Sequence, residues 1–177
     1  TPSPFISTQT QEKMAAAAIK AAQSIHYRGA GTIEFIVDDT ENFYFMEMNT
    51  RIQVEHPVTE AITGIDLIKE QIKIAATNTC DLNQSDIHTS GHSMEFRINA
   101  EDPSKGFLPM PGTLELFLPP GGPGIRIDSH AYPGYKVPPN YDSLLAKLIV
   151  WAPTRKECIA RSKRALLEFV IDGVPTT

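Results

Sequence analysis

The sequence predicts an α+β protein of two small units, the second built from antiparallel strands and closed by a helix. Three observations point there. Residues 10 to 27 and 58 to 77 carry apolar side chains every three or four positions, the helical period. Between them, TIEFIVD (32 to 38) and NFYFMEMN (42 to 49) are rich in β-branched and aromatic residues on either side of a polar turn. Past a polar stretch at 79 to 91 the character shifts, and residues 103 to 139 hold nine of the 14 prolines.

The first helix rests on Met14, Ala18, Ala22 and Ile25, which share one face until Gly29-Ala30-Gly31 breaks the pattern. The two apolar runs that follow read as a β-hairpin, so Glu34 and Glu47 lie on neighbouring strands. After His56-Pro57, the spacing of Val58, Ala61, Ile62, Ile65, Ile68, Ile72 and Ala75 predicts one or two helices interrupted at Gly64. TCDLNQSDIHTSG (79 to 91) reads as a linker, which places the unit boundary near residue 90. HSMEFRINAED (92 to 102), GTLELFLPP (112 to 120) and GIRIDS (124 to 129) predict short antiparallel strands. SLLAKLIVWA (143 to 152) fits a buried strand or a short helix, which periodicity alone does not decide, and the strand is the favoured reading. Thr154 with Glu157 three residues later is a capping box, opening a helix through Phe169 that Asp172-Gly173 ends.

Composition bounds the function. A chain of 177 residues buries roughly two thirds of its unfolded surface and has no need of disulfides. No run approaches the ~20 apolar residues of a membrane-spanning helix. The formal net charge is -5 without a dense Lys/Arg block, so a nucleic-acid footprint is absent and any anionic ligand must be held locally. Cys80 and Cys158 stand alone, which argues against zinc, predicts two buried thiols and fits a reducing compartment. The chain opens TPSPFIST and closes DGVPTT, the expected look of a piece of a longer chain.

The segment MEMNTRIQVEH (46 to 56) carries the chemistry. Glu47, Asn49, Arg51, Gln53 and Glu55 occupy every second position, with Met46, Met48, Ile52 and Val54 between them. In extended backbone the polar side chains share one face and the apolar ones turn to a core. A solvated strand face is the plain reading of such alternation. Three features favour a site. Asn and Gln are poor strand formers, and a solvated face usually offers Thr, Lys or Ser instead. Glu34 adds a second carboxylate that tolerates Glu47 beside it when a cation sits between them. Both sides of the hairpin are heavily apolar, which predicts a place in a sheet interior. Two carboxylates and an amide oxygen are hard donors suited to Mg²⁺ or Mn²⁺ on a nucleotide, so Glu34, Glu47 and Asn49 read as a metal site. Arg51 offers a fixed fork for a small oxyanion, and Glu55 a carboxylate able to accept a proton.

EMNTRIQVEHPVTE followed by TGIDLIKEQIKIA, with GAGTIEF upstream and RINAEDP downstream, resembles the biotin carboxylase component of biotin-dependent carboxylases, of the ATP-grasp superfamily. Further runs extend the likeness through FLPMPG, PGGPGIR, PPNYDS and DGVPTT, nearly the whole chain. The resemblance implies that residues 1-90 are the carboxy-terminal part of an ATP-grasp domain and residues 91-177 a truncated biotin carboxylase carboxy-terminal domain. It implies a ligase in which ATP converts bicarbonate to carboxyphosphate and the carboxyl group passes to biotin on a carrier. By the same resemblance Glu34, Glu47 and Asn49 hold Mg²⁺ or Mn²⁺ against ATP. Arg51, Gln53 and the backbone of Val54 hold bicarbonate, Glu55 is the base, and Arg97 stabilises the enolate-like oxygen of biotin.

The implied partners are a biotin carboxyl carrier protein or domain and a carboxyltransferase component, with a possible homodimer through PGGPGIR. Pro123 stands where the family often has a bulky aromatic, which removes an anchoring contact. The implied parents are acetyl-CoA, propionyl-CoA, methylcrotonyl-CoA or pyruvate carboxylases, including those of fatty acid biosynthesis, in the cytoplasm or mitochondrial matrix. The Gly-rich lid and the basic phosphate contacts of the family would lie before residue 1, so little turnover is expected of these 177 residues alone. Two other readings stand beside this one: another ATP-grasp carboxylate-amine ligase, and a non-catalytic module that docks a carrier or partner. His56 and Asp142 read as local structural residues, and Lys147 and Trp151 as packing or surface residues.

Overall fold

Residues Pro2–His88 and Thr89–Thr177 pack as separate units, Thr1 joining the second, in a computed structural model that describes residues 1–177. No helix is long and apolar enough to cross a membrane.

The first unit begins with helix α1 (Thr8–Ser24), capped by the Ser7 hydroxyl, which accepts from the Thr10 amide at 3.3 Å. Met14, Ala18 and Ala22 are half-buried, whereas Ile25 falls beyond the helix and is 58% exposed. Strands β1 (Thr32–Val37) and β2 (Phe43–Asn49) form the antiparallel hairpin, with a bulge between Glu34 and Phe35. The Asp38 carboxylate organises its turn, accepting from the amides of Thr40 and Asn42, both at 2.9 Å. Glu41 accepts from the hydroxyls of Ser7 and Thr10, each at 2.5 Å, and so fastens the start of α1 to that turn.

Helix α2 (His56–Thr63) stops at Gly64, whose φ of 72° suits a residue without Cβ. Helix α3 (Leu67–Thr77) starts under an Asp66 cap and ends at Asn78, also left-handed at φ 59°. The Glu60 carboxylate accepts from the Leu67 amide at 2.9 Å and joins the two helices.

Three expectations change in this unit. The hairpin is a sheet of two strands only, and Ile36, Tyr44, Phe45 and Met46 are 50% to 63% exposed, so it does not occupy a sheet interior within this chain. The extended ladder stops at Asn49, because β1 begins at its partner Thr32 and offers nothing further to pair with. Arg51 to Glu55 therefore run through a bend and a turn. Cys80 is exposed, since it lies in polar chain beyond α3, and only Cys158 is buried.

The second unit runs through β3 (His92–Asn99), β4 (Glu101–Asp102), β5 (Leu108–Pro109), β6 (Gly112–Thr113), β7 (Leu116–Leu118), β8 (Ile125–Ser129), β9 (Lys136–Val137) and β10 (Leu144–Ala152), then α4 (Arg155–Glu168) and β11 (Val170–Asp172). Its main sheet has the order β3-β10-β8, all antiparallel. As the central strand, β10 is covered on both faces, which is why its sequence reads as one apolar run: Leu145, Ala146, Leu148, Ile149, Val150 and Ala152 are all at most 2% exposed.

Helix α4 opens with the capping box of Thr154 and Glu157 and lays Cys158 and Ala165 against Leu148, Val150 and Ala152. A second cluster gathers Ile98, Leu114, Phe117, Val137, Leu145 and Val174. Apart from β8, the proline-rich middle supports only two- and three-residue ladders because proline donates no hydrogen bond. The chain beyond α4 also differs from expectation: β11 forms first and pairs with β7 before Gly173 turns at φ 99°. A Cβ on Gly173 would lie 2.1 Å from the Thr113 carbonyl oxygen.

Candidate active site

Glu34 and Glu47 are direct cross-strand partners in the hairpin, and Asn49 lies two residues along the same strand. Like charges at such a position repel unless a donor or cation stands between them. The Asn49 amide does this here: its Nδ2 donates to Glu34 Oε1 at 2.9 Å and to Glu47 Oε1 at 3.0 Å. Gln53 Nε2 donates to the same Glu34 oxygen at 3.3 Å. Arg51 reaches Gln53 Oε1 at 2.7 Å through Nη1 and Asn49 Oδ1 at 3.3 Å through Nη2. Five of the expected residues, Glu34, Glu47, Asn49, Arg51 and Gln53, thus form one connected network. The bend after Asn49 folds Arg51 and Gln53 back onto it, so proximity here comes from the turn rather than from a continuous strand.

The donor set suits a small hard cation: two facing carboxylates with an amide between them, already bridged by a polar group. No cluster of three or more His, Cys, Asp or Glu side chains able to hold a metal exists in the chain. A cation held by Glu34, Glu47 and Asn49 would draw its remaining ligands from water or substrate oxygens, the habit of Mg²⁺ on phosphates.

Glu55 is exposed and sits at the N-cap of α2, one residue past the half-buried Val54. His56 is held locally, its Nδ1 on the Gln53 carbonyl at 2.8 Å, which requires the proton on Nδ1, and its Nε2 3.8 Å from Glu60 Oε1. A structural role accounts for both contacts.

Arg97 belongs to the other unit, on the polar face of β3. Its Cα partner on β10 is Lys147, whose partner on β8 is Asp128. Lys147 Nζ lies 3.7 Å from Asp128 Oδ2, and its side chain is only 13% exposed. Arg126 grips the same carboxylate with Nε at 2.7 Å and Nη2 at 2.8 Å. Sequence reasoning took Lys147 for a packing or surface residue and passed over Asp128, because a charge row across three strands has no signature along the chain. Asp142 caps its own loop, accepting from the Leu144 amide at 2.8 Å. Tyr141 and Ser143 line a cavity of about 280 Å³ with Leu108, Met110 and Pro138.

Comparison with known proteins follows the same division. The family described as "Carbamoyl-phosphate synthase L chain, ATP binding domain" matches residues 1–83, and "Biotin carboxylase C-terminal domain" matches residues 95–177. Biotin carboxylase 1 of Bacillus subtilis is 59% identical over 99% of the chain, which spans 39% of that protein. The chloroplastic biotin carboxylase of Arabidopsis thaliana is 58% identical over 99% of the chain and 33% of its own length. The solved biotin carboxylase domain dimer of the Hydrogenobacter thermophilus 2-oxoglutarate carboxylase, in complex with MgADP, ADP and bicarbonate, superimposes with a TM-score of 0.96 at 51% identity. That likeness covers 100% of this chain and 39% of the solved one.

Fold and matches together define an ATP-grasp type of chain followed by an antiparallel carboxy-terminal unit. Both units match biotin carboxylases, and the chain spans between a third and two fifths of the length of the relatives it matches.

Proposed function

We propose that this chain is the carboxy-terminal part of a biotin carboxylase, an ATP-dependent ligase that activates bicarbonate and carboxylates biotin borne on a carrier protein. The observation that carries the reading is the connected network on the hairpin, in which the facing carboxylates Glu34 and Glu47, the bridging Asn49 amide and the Arg51 guanidinium are joined by hydrogen bonds. Glu34, Glu47 and Asn49 are the residues that would hold Mg²⁺ or Mn²⁺ with ATP. The bound cation supplies charge neutralisation for the phosphates during transfer.

Arg51, steadied by Gln53 and Asn49, presents a planar pair of donors to bicarbonate beside the Val54 backbone. Glu55 takes the bicarbonate proton into its carboxylate, and the resulting oxyanion is the stronger nucleophile. Arg97 stabilises the negative charge that develops on the biotin oxygen once its N1′ is deprotonated. A carrier domain, a carboxyltransferase component and a homodimer are the partners this reading brings, in the cytoplasm or the mitochondrial matrix. The acyl-CoA, pyruvate or fatty-acid context is set by domains that choose the acceptor.

The match of residues 1–83 to a carbamoyl-phosphate synthase domain favours a second reading, an ATP-grasp carboxylate-amine ligase. Arg97 and the match of residues 95–177 weigh for biotin. The test is ADP formation by the complete protein. Turnover dependent on both bicarbonate and biotin is expected, with Glu47→Gln lowering it by about 10² to 10³-fold, as when one transition-state contact is removed. Turnover that requires an amine and ignores biotin would replace this reading with the second.

A further inference from the structure

We propose that His56 is a positioning residue for the bicarbonate clamp and its base, acting through the Gln53 carbonyl. The inference rests on the reading of the Val54 backbone and Glu55 as the groups that hold bicarbonate and take its proton. The Gln53 carbonyl accepts twice from one residue, from the His56 amide at 3.3 Å and from the His56 ring at 2.8 Å. A bond from residue i+3 back to residue i closes a β-turn, and the two middle residues of this one are Val54 and Glu55. Glu55 has φ -83° and ψ 10°, the backbone of the third position of a type I turn.

The turn needs its second bond. At 3.3 Å the amide contact is long for a backbone hydrogen bond, and the shorter bond from Nδ1 is the one that fixes where the carbonyl points. The ring is placed from its far side as well. Nε2 lies 3.8 Å from Glu60 Oε1, and that oxygen accepts from the Leu67 amide at 2.9 Å, at the start of α3. The two side chains are only 12% and 10% exposed, so water competes weakly with these contacts. Gln53 is where the ring meets the site. Its carbonyl is held by His56, while its side chain meets Arg51 at 2.7 Å and Glu34 at 3.3 Å. His56 thereby sets the spacing between the Arg51 fork on one side of Gln53 and the Val54–Glu55 pair on the other.

The experiment has two readouts. The first is bicarbonate kinetics of the complete protein. In His56→Asn an amide N–H takes the place of Nδ1–H, in His56→Gln it takes the place of Nε2, and His56→Leu has neither. His56→Leu should lower kcat/KM for bicarbonate by roughly ten- to a hundredfold, the order expected from misplacing a reacting group, with the KM for ATP unchanged. His56→Gln should be impaired to the same degree, and His56→Asn should keep most of the wild-type value. The second readout needs no turnover. Gln53-Val54 is the only Gln-Val pair in the chain, so ¹³C-carbonyl glutamine with ¹⁵N-valine marks that peptide bond alone in spectra of the full chain. Its carbonyl resonance should move in His56→Leu and return in His56→Asn.

Bicarbonate kinetics indifferent to His56→Leu, a His56→Asn variant as impaired as His56→Leu, or a KM for ATP that rises in step with the loss overturns the proposal. Full bicarbonate-dependent turnover by Glu55→Gln would instead remove the reading of Glu55 on which it rests, while the Gln53 carbonyl resonance still decides whether His56 closes the turn.

Discussion

Asp38 shows how much one carboxylate can organise. Hydrogen bonds from the Asn42 side chain, then the Thr40 hydroxyl and the Asn42 amide, lower its pKa from 3.8 to about 2. The folded value is depressed, so the stabilisation is complete above pH 3.8 and drains away as pH falls through about 2. Asp38→Asn should therefore lower the thermal midpoint at pH 7 and make little difference near pH 2, and a carboxyl NMR titration of Asp38 should show the depressed midpoint directly. The reverse shift occurs at Cys158, whose thiol is pushed up by burial against β10. At this scale the sequence was readable where partners are neighbours. Glu34, Glu47 and Asn49 were legible because a hairpin fixes who faces whom, whereas the Lys147–Asp128 pair depends on a strand order that no local pattern encodes.

At the level of elements, α4 is the plainest case of sequence dictating structure. Thr154 accepts from the Glu157 amide at 3.3 Å, and Glu157 Oε2 accepts from the Thr154 amide at 3.2 Å, closing the box its spacing foretold. Thr154→Ala should cost about 1 kcal/mol in urea unfolding, with Thr154→Ser close to wild type. β10 was identifiable as a strand because its length and its flanking turn residues decide what periodicity leaves open. The hairpin was legible as a hairpin and misread as buried, since alternation says which side chains share a face and nothing about what covers that face. Similarly, the polar ladder from Glu47 to Glu55 kept its period beyond the point where β1 could pair with it. Period two is needed for a strand, but a partner is needed as well. β11 went unseen because three residues are too few to show any period.

For the whole molecule, the division at residue 88 has a direct test. Thr89–Thr177 contains its own central strand, capped helix and two apolar clusters, so this unit expressed alone should unfold in one cooperative urea transition, with a slope in the usual range of about 1–3 kcal/mol/M for a small domain. A broad, probe-dependent transition would show that its core is incomplete. The order β3-β10-β8 also bears on how the chain is made. The middle strand is synthesised last, and β3 and β8 form no ladder with each other. During translation, the edge of β3 that takes β10 stays open until residues 144 to 152 emerge. The sheet is therefore assembled almost all at once when β10 emerges. A ribosome paused before β10 would hold a nascent chain whose β3 edge is available to any passing strand.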